Sequence, residues 1–442
     1  MAEFPSPSPS LESFLASLPM PNWLNNPQLQ PLLQVLNQPM GTTRFVGGCV
    51  RDWLLQLPPG HDIDLATRLT PEQVIGLAES AGFVVIPSGI AHGTVTILIG
   101  KARLGGWRAE ITTLRRDQET DGRHATVSWL DDWSEDANRR DFTMNGIYCT
   151  AQGELFDPLG GIDDLRAGLV RFIGKAEERI AEDHLRLLRY FRFLAWFGRV
   201  PPLSHELQAC LTAKSLLLNL SSERLWAEFK KLLSAPEPCA ALVIMLSKNI
   251  LTEVFPELKL GAVAVLARLI EMEERLELPP SAQRRLLSLL PPACGELVAN
   301  RLKFSRIDRC FMVDCDRIAA AFSELLLNPI PYLRRYGRER VQDACLIHLA
   351  RADIHSTRLD PSLVQRLTET IREWQEPVFP ISGQDILAMG VGEGKAVGIT
   401  LKQVETWWEQ QNCQPDQQAC LAYLERILSM QKLDENSSEI DN

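Results

Sequence analysis

Arg44-Phe45-Val46-Gly47-Gly48-Cys49-Val50-Arg51-Asp52-Trp53-Leu54-Leu55 reads as a strand, a Gly-Gly turn and a helix that stops at Pro58-Pro59. Paired glycines let backbone N–H groups come close to an anion, and the helix start beyond them favours negative charge. Arg51, one turn into the helix, adds a charge-assisted donor for phosphate oxygens. Alone, such a turn equally suits an ordinary strand-turn-helix in which glycine permits tight packing. His61-Asp62-Ile63-Asp64-Leu65-Ala66 follows shortly after. In a strand, residues i and i+2 project from the same face, so Asp62 and Asp64 stand side by side. Paired like charges repel unless a cation lies between them, and this arrangement suits Mg2+, which also takes phosphate oxygens as ligands. The competing reading is a solvated strand end. Turn and carboxylate pair together predict a metal-dependent nucleotidyl-transfer site, where ions offset charge on the attacking and leaving oxygens of an in-line displacement.

Outward from this point the chain has two textures. Runs at Thr43–Val46, Ile63–Ala66, Phe83–Ile86, Gly93–Ile99 and Ala109–Leu114 read as strands between turn signals. Thr70-Pro71-Glu72-Gln73 reads as a capping box opening a helix. Beyond about Leu165, Leu/Ala/Arg-rich helical periodicity takes over, broken by prolines such as Pro238, Pro256, Pro279-Pro280 and Pro377. The expected fold class is therefore α+β, a head of about 130 residues followed by about 270 helical residues. The expected segments are a flexible Pro/Ser-rich lead-in (1–30), the head (31–165), a helical neck (166–240), a helical body (241–375) and a helical tail (376–442). The ten cysteines include no CxxC and read as small buried hydrophobes in a reducing compartment. No run approaches about 18 apolar residues and the N-terminus lacks a basic-then-apolar signal, so a cytoplasmic protein with no membrane partner is expected.

Two further blocks carry charge in a patterned setting. In Asn138-Arg139-Arg140-Asp141-Phe142-Thr143-Met144-Asn145-Gly146-Ile147, the interleaved apolar residues suggest a partly buried helix start with Arg140 directed into a cleft. The plainer alternative is a surface ion-pair cluster. In Glu182-Asp183-His184-Leu185-Arg186-Leu187-Leu188-Arg189-Tyr190-Phe191-Arg192-Phe193, charges at i, i+3, i+6 and i+9 spiral round one helix opposite Leu and Phe. A solvated basic face is the alternative there.

VGGCVRD with DID, RRDFTMNGI and EDHLRLLRYFRF, in this order, resembles the class II tRNA nucleotidyltransferases, the CCA-adding enzymes. Their head fold belongs to the DNA polymerase beta superfamily. The resemblance covers roughly residues 40–235, extends through Ser222-Glu223-Arg224-Leu225-Trp226-Ala227-Glu228-Phe229-Lys230-Lys231, and touches the tail at Ser382-Gly383-Gln384-Asp385-Ile386-Leu387-Ala388-Met389-Gly390. Gly392-Glu393-Gly394-Lys395 departs from the commoner proline-containing tail. The resemblance implies a polymerase-beta-like head with helical neck, body and tail. It implies addition of CCA to the 3′ end of tRNA from CTP and ATP, with Asp62 and Asp64 as catalytic Mg2+ ligands. It further implies that Gly48, Arg51 and Arg140 hold the triphosphate. Asp183 and Arg186 would read the base, with Arg189 and Arg192 completing the nucleotide pocket and Glu110 the candidate third carboxylate.

The base-reading pair makes chemical sense. Adenine N6 and cytosine N4 donate whereas guanine O6 and uracil O4 accept, so a carboxylate welcomes A and C and repels G and U. Arg186 can only donate, which suits ring nitrogens and O2 acceptors. The competing readings are a bacterial poly(A) polymerase, a partial CC- or A-adding tRNA enzyme, and a non-catalytic RNA-binding protein. Ala91-His92-Gly93-Thr94-Val95-Thr96-Ile97 looks like the tRNA enzymes, and Leu114-Arg115-Arg116-Asp117-Gln118-Glu119-Thr120-Asp121-Gly122-Arg123 resembles the loop of full CCA-adding versions. Tyr332-Leu333-Arg334-Arg335-Tyr336 is a candidate to lie along RNA, or a solvated helix face. Forty-six Lys and Arg against 56 Asp and Glu give a net charge of −10, which argues against indiscriminate backbone binding. Residues 171–231, however, hold 11 basic and 7 acidic side chains, a local +4 compatible with a tRNA partner recognised by shape and a basic groove.

Overall fold

The computed structural model describes residues 11–58, 60–87, 89–100, 106–120, 125–352, 360–392 and 394–440. The chain forms two compact units, Met1–Pro256 and Glu257–Asn442. The first contains α1 (Leu11–Ser17), α2 (Gln30–Leu36), β1 (Thr43–Val46), α3 (Gly48–Leu54), β2 (Asp62–Thr67), α4 (Pro71–Ser80), β3 (Val84–Ile86), β4 (Thr94–Ile99) and β5 (Trp107–Thr113). A hairpin, β6 (Arg115–Thr120) and β7 (Ala125–Trp129), leads through α5 (Trp133–Asn138) to β8 (Tyr148–Cys149) and β9 (Leu155–Phe156). Seven strands form one sheet in the order β3-β4-β5-β2-β1-β8-β9, with β2 and β5 parallel and the other neighbours antiparallel. The α+β head expected from the sequence is present, its sheet mixed, and the capping box forms: Thr70 accepts from the Gln73 N–H at the start of α4.

Register sorts the sheet into two faces. Phe45 lies opposite Leu65 and Val95 opposite Ile111, and these side chains are buried on the face that α4 covers, with α2 against α4. Arg44 lies opposite Ala66, Val46 opposite Tyr148 and Asp64 opposite Glu110, so these residues share the other face. There Val46, Ala66, Leu114, Trp133, Ala137 and Tyr148 form an apolar cluster under α5, while Asp62 and Asp64 lie open. The lead-in expected to be loose over residues 1–30 is corrected over its described part. Trp23, Leu24 and Leu29 are buried, and the Trp23 ring packs 4.1 Å from that of Phe45. The Pro/Ser composition masked these few large apolar side chains, whose burial repays ordering the segment. Residues 1–10 lie outside the described residues.

The helical continuation is α6 (Gly161–Ala167), α7 (Ala176–Glu182), α8 (Leu185–Phe197), α9 (Ser204–Thr212), α10 (Ser222–Leu233) and α11 (Pro238–Ser247). α8 packs against α10 and α11 through its Leu/Phe stripe. Phe142 joins it to the head, bridging Phe172 and packing within 5.0 Å of the Phe193 ring. Glu206 on α9 is buried and accepts the Phe172 N–H at 3.1 and 3.2 Å. Burial pushes its carboxyl up to about 7, with the Phe172 N–H and Arg171 opposing. The folded state therefore holds this proton more tightly than the unfolded state, and stability from this group falls as pH rises from the ordinary carboxylate range to about 7. Glu206→Gln, whose carbonyl still accepts from Phe172, is expected to raise Tm at pH 8 by an amount worth about 2 kcal/mol and to change little at pH 5. Thermal melts at the two pH values check this; equal shifts at both would remove the titration from the account.

The second unit is helical throughout its described residues, from Ala262–Arg275 to Gln417–Ile440. Its interior holds a closed ionic network: Glu273 pairs with Arg284 at 2.7 Å and Arg285 at 2.8 Å, and Arg284 also with Asp343. Buried charges persist only when paired in this way. Arg334, expected as a possible RNA contact, is instead committed to Glu405 at 2.8 Å and Glu409 at 3.2 Å over the Trp408 ring. Arg335 remains exposed. The tail core gathers Ile381, Ile386, Val404, Trp408, Cys420 and Leu424. All ten cysteines are free, and among the described residues no helix is long and apolar enough to cross a membrane.

Candidate active site

The Gly47-Gly48 turn and the carboxylate pair meet at the end of β1 and the start of β2. Gly47 takes φ +73°, a conformation L side chains rarely adopt, and a Cβ there would lie 3.5 Å from Asp64 Oδ2. A Cβ on Gly48 would lie 3.8 Å from Arg51 Nη2 and 3.9 Å from Asp64 Oδ2. The positive φ is what calls for glycine at 47; beside Asp64 a Cβ at either position would sit in ordinary van der Waals contact. Asp62 and Asp64 alternate with buried Ile63 and Leu65 and border a cavity of about 460 Å3 together with Gly48, Trp53 and Met20. Desolvation raises the Asp64 pKa, Glu110 and Asp62 push the same way, and Arg140 and Arg51 oppose them. Among the described residues no three His, Cys, Asp or Glu side chains are gathered closely enough to hold a metal ion. Glu110, in register with Asp64, is paired with Arg108. The donor set is thus two adjacent hard oxygen ligands under mutual repulsion, which fits a divalent cation completed by substrate oxygens and water.

The arginines expected at the phosphates are braced. Arg51 donates to Asp52 through Nε at 2.9 Å and Nη2 at 2.7 Å, and to Asn145 through Nη1 at 2.8 Å. Its guanidinium lies 4.5 Å from the centre of the Phe197 ring. Arg140 donates to the Tyr148 hydroxyl at 3.1 Å and to Asp136 at 3.1 Å. It does not open a helix, as the sequence suggested: α5 ends at Asn138, and Thr143–Asn145 is a single 3-10 turn. Arg51, Arg192, Lys231, Phe193, Trp196 and Phe197 border a second cavity of about 340 Å3.

The four charges read as spiralling round one helix are divided. Asp183 terminates α7 in an extended conformation, and α8 begins at Leu185. The reason is local: the Asp183 carboxylate accepts the Leu185 N–H at 3.1 Å, competing with a continuous helical ladder. Asp183 does not pair with Arg186; both its oxygens accept from one nitrogen of Arg224, Nη2, at 2.9 and 3.0 Å. Arg186 donates to the Arg139 carbonyl at 3.1 Å and pairs with Glu182; Arg179 donates to the Asn138 carbonyl at 3.2 Å. These two arginines satisfy carbonyls that α5 leaves unpaired at its C-terminus. Arg189 pairs with Asp141, whose carboxyl burial alone would raise but which Arg189 and Asn145 hold at about 2. Arg192 faces Glu228 at 3.2 Å, and burial beside Arg189 lowers its pKa to about 10. Sequence reasoning assigned no role to Asp136, Tyr148, Asp141 or Arg224. Asp136 had a local signal, four residues before Arg140; Arg224, 41 residues from its partner, had none.

Residues 43–171 match the family described as the Poly A polymerase head domain, and residues 206–260 that described as a probable RNA and SrmB-binding site of polymerase A. The mouse CCA tRNA nucleotidyltransferase 1, mitochondrial, is 33% identical over 411 residues, covering 90% of both chains. The chain belongs to the CCA tRNA nucleotidyltransferase family. The human CCA tRNA nucleotidyltransferase 1, mitochondrial, is 34% identical over 400 residues, covering 87% of this chain and 86% of its own. The crystal structure of the Bacillus stearothermophilus CCA-adding enzyme in complex with CTP shares the fold, with a TM-score of 0.61 and 24% identity over 92% of this chain and 99% of that one. CCA tRNA nucleotidyltransferases are enzymes of a nucleotidyltransferase class that uses divalent metal ions.

Proposed function

We propose that the chain adds C, C and A to the 3′ end of tRNA without a nucleic-acid template, taking CMP and AMP from CTP and ATP and releasing pyrophosphate. The observation that carries the reading is the Gly47-Gly48 turn set against Asp64, with Asp62 beside it and Arg140 opposing their charge. Asp62 and Asp64 would hold Mg2+, with Glu110 the nearest further carboxylate. When bound, the ion supplies positive charge that favours the deprotonated hydroxyl and the departing pyrophosphate. The residues of the chain do the rest. Gly48 admits the phosphates, Arg51 exchanges part of its present pairing for phosphate oxygens, and Arg140 turns to them the Nη1 edge that its contacts to Tyr148 and Asp136 do not use. Asp183 accepts the amino group of cytosine or adenine through Oδ2, which keeps a lone pair beside its Arg224 contact, while Oδ1 is taken by Arg224 and the Leu185 N–H, which hold the carboxylate in place. Arg186 donates to ring acceptors after releasing Glu182, with Arg189 and Arg192 behind it.

The head (31–165) would carry the chemistry, the neck (166–240) the base reading, and the body (241–375) and tail (376–442) the RNA. Ten free thiols fit a reducing compartment, of which the cytoplasm would be one. The test is incubation with tRNA lacking its 3′ end, each labelled nucleotide and Mg2+; a long A tail would instead identify a poly(A) polymerase, and CC alone a partial enzyme.

A further inference from the structure

We propose that Asp136 is a positioning residue for nucleotide binding: its buried carboxylate directs the Arg140 guanidinium toward the Asp62/Asp64 cleft and ties the root of the β6–β7 hairpin to the same point. The inference rests on the reading of Arg140 as a phosphate-side group. Asp136 is fully buried at the edge of an apolar cluster made by Val46, Ala66, Leu114, Trp133, Ala137 and Tyr148. A carboxylate there is costly to desolvate, and packing α5 onto the sheet requires none. Its contacts run to Arg140, which acts on Asp64, to Tyr148 on the same sheet face, and to Arg139 and the start of β6. Oδ2 accepts from Arg140 Nη2 at 3.1 Å and from the Tyr148 hydroxyl at 2.8 Å. Oδ1 accepts from Arg139 Nε at 2.7 Å and from the Arg115 N–H at 3.4 Å.

The geometry closes into a triangle. Arg140 Nε donates to the Tyr148 oxygen at 3.1 Å, so the guanidinium is held on two edges and neither contact uses Nη1. Tyr148 belongs to the strand face that bears Asp64, being opposite Val46 in register. Burial alone would raise the Asp136 carboxyl, but Arg140 and Arg139 hold it below its ordinary value and ionised. Arg115 opens β6 and the Leu130 N–H donates to the Leu114 carbonyl at 2.9 Å, so this carboxylate also fixes where the hairpin leaves the sheet. Removing its charge would leave the Arg140 guanidinium without its buried counter-ion and free to leave the cleft. Because phosphates are common to all nucleotides, the loss would fall equally on CTP and ATP and leave base choice to Asp183.

A double-mutant cycle on the full chain tests this, with equilibrium binding of CTP and ATP in Mg2+ as readout and binding of end-truncated tRNA as control. Asp136→Asn is expected to weaken both nucleotides about tenfold to thirtyfold and to leave tRNA binding unchanged. Arg140→Gln should do the same, and adding Asp136→Asn to it should weaken binding less than about twofold further. Multiplying effects, or unequal losses for CTP and ATP, would overturn the positioning role. An Arg140→Gln protein that binds nucleotides normally would overturn the reading of Arg140 itself, a distinct outcome. If Asp136→Asn fails to fold, Tyr148→Phe keeps the ion pair and reads the same coupling. About threefold weakening alone and none beside Arg140→Gln supports the proposal, and equal weakening in both backgrounds contradicts it.

Discussion

Replacing Asp62 and Asp64 together by alanine is expected to lower the rate of nucleotide transfer by a factor of about 10^3 or more while leaving the protein folded. The two halves of this expectation have separate causes. Both side chains lie open on β2, so their truncation creates no core cavity. Asp64 is raised by desolvation and by the charges of Glu110 and Asp62, so the folded state near neutral pH bears a repulsion that the unfolded chain escapes. A carboxyl whose folded pKa is raised lowers stability as pH climbs through it, and neutralising it restores stability above that range. The double variant should therefore melt at or slightly above the wild-type temperature at pH 7.5 without metal. Added Mg2+ should raise the Tm of the wild type alone, since an ion that binds only the folded site stabilises by mass action. A chelator should silence the wild type. Retained activity in the double variant, or an equal Mg2+ shift in both proteins, would remove Asp62 and Asp64 from the metal site.

Asp183→Asn is expected to relax base selection by about 10^2-fold, measured as the ratio of kcat/KM for CTP over UTP and for ATP over GTP. The carboxylate can only accept, and so meets the amino groups of cytosine and adenine; the amide also donates, and so tolerates the carbonyls of uracil and guanine. Selectivity of this kind depends on a fixed carboxylate plane. Two donors hold it: Arg224 Nη2 reaches both oxygens at 2.9 and 3.0 Å, and the Leu185 N–H donates to Oδ1 at 3.1 Å, with both charged side chains about one-third exposed. Loss of that charge also frees Arg224, so activity with CTP should itself fall by about tenfold to a hundredfold. Unchanged ratios with lowered activity would mean that Asp183 only holds the α7–α8 junction.

The parts of the molecule legible in the sequence are those encoded over a few residues. Strand alternation around Ile63 and Leu65, the Gly-Gly turn after Val46 and the capping box at Thr70 all act locally, and the structure contains each of them. The helical remainder followed from periodicity and proline punctuation. The α7–α8 break was not legible, because the charges at i, i+3, i+6 and i+9 continue smoothly across Asp183 and only a side-chain contact to Leu185 interrupts the helix. Nor were the pairings Asp183–Arg224, Arg189–Asp141 and Arg51–Asn145, which join residues far apart in sequence. Arg186 and Arg334 illustrate the same limit: an arginine in a basic stretch looks available until the fold supplies a carbonyl or a carboxylate. The lead-in erred in the other direction, since composition averaged away Trp23 and its neighbours.

The length and order of the product test the central claim most directly. Wild-type protein, end-truncated tRNA, Mg2+ and each labelled nucleotide, alone and in combination, should give two C residues from CTP alone and C, C and one A from CTP with ATP, with no incorporation of G or U and no extension beyond the single A. A ladder of A residues, a halt after the second C when ATP is present, or no transfer to a truncated tRNA end would contradict the account.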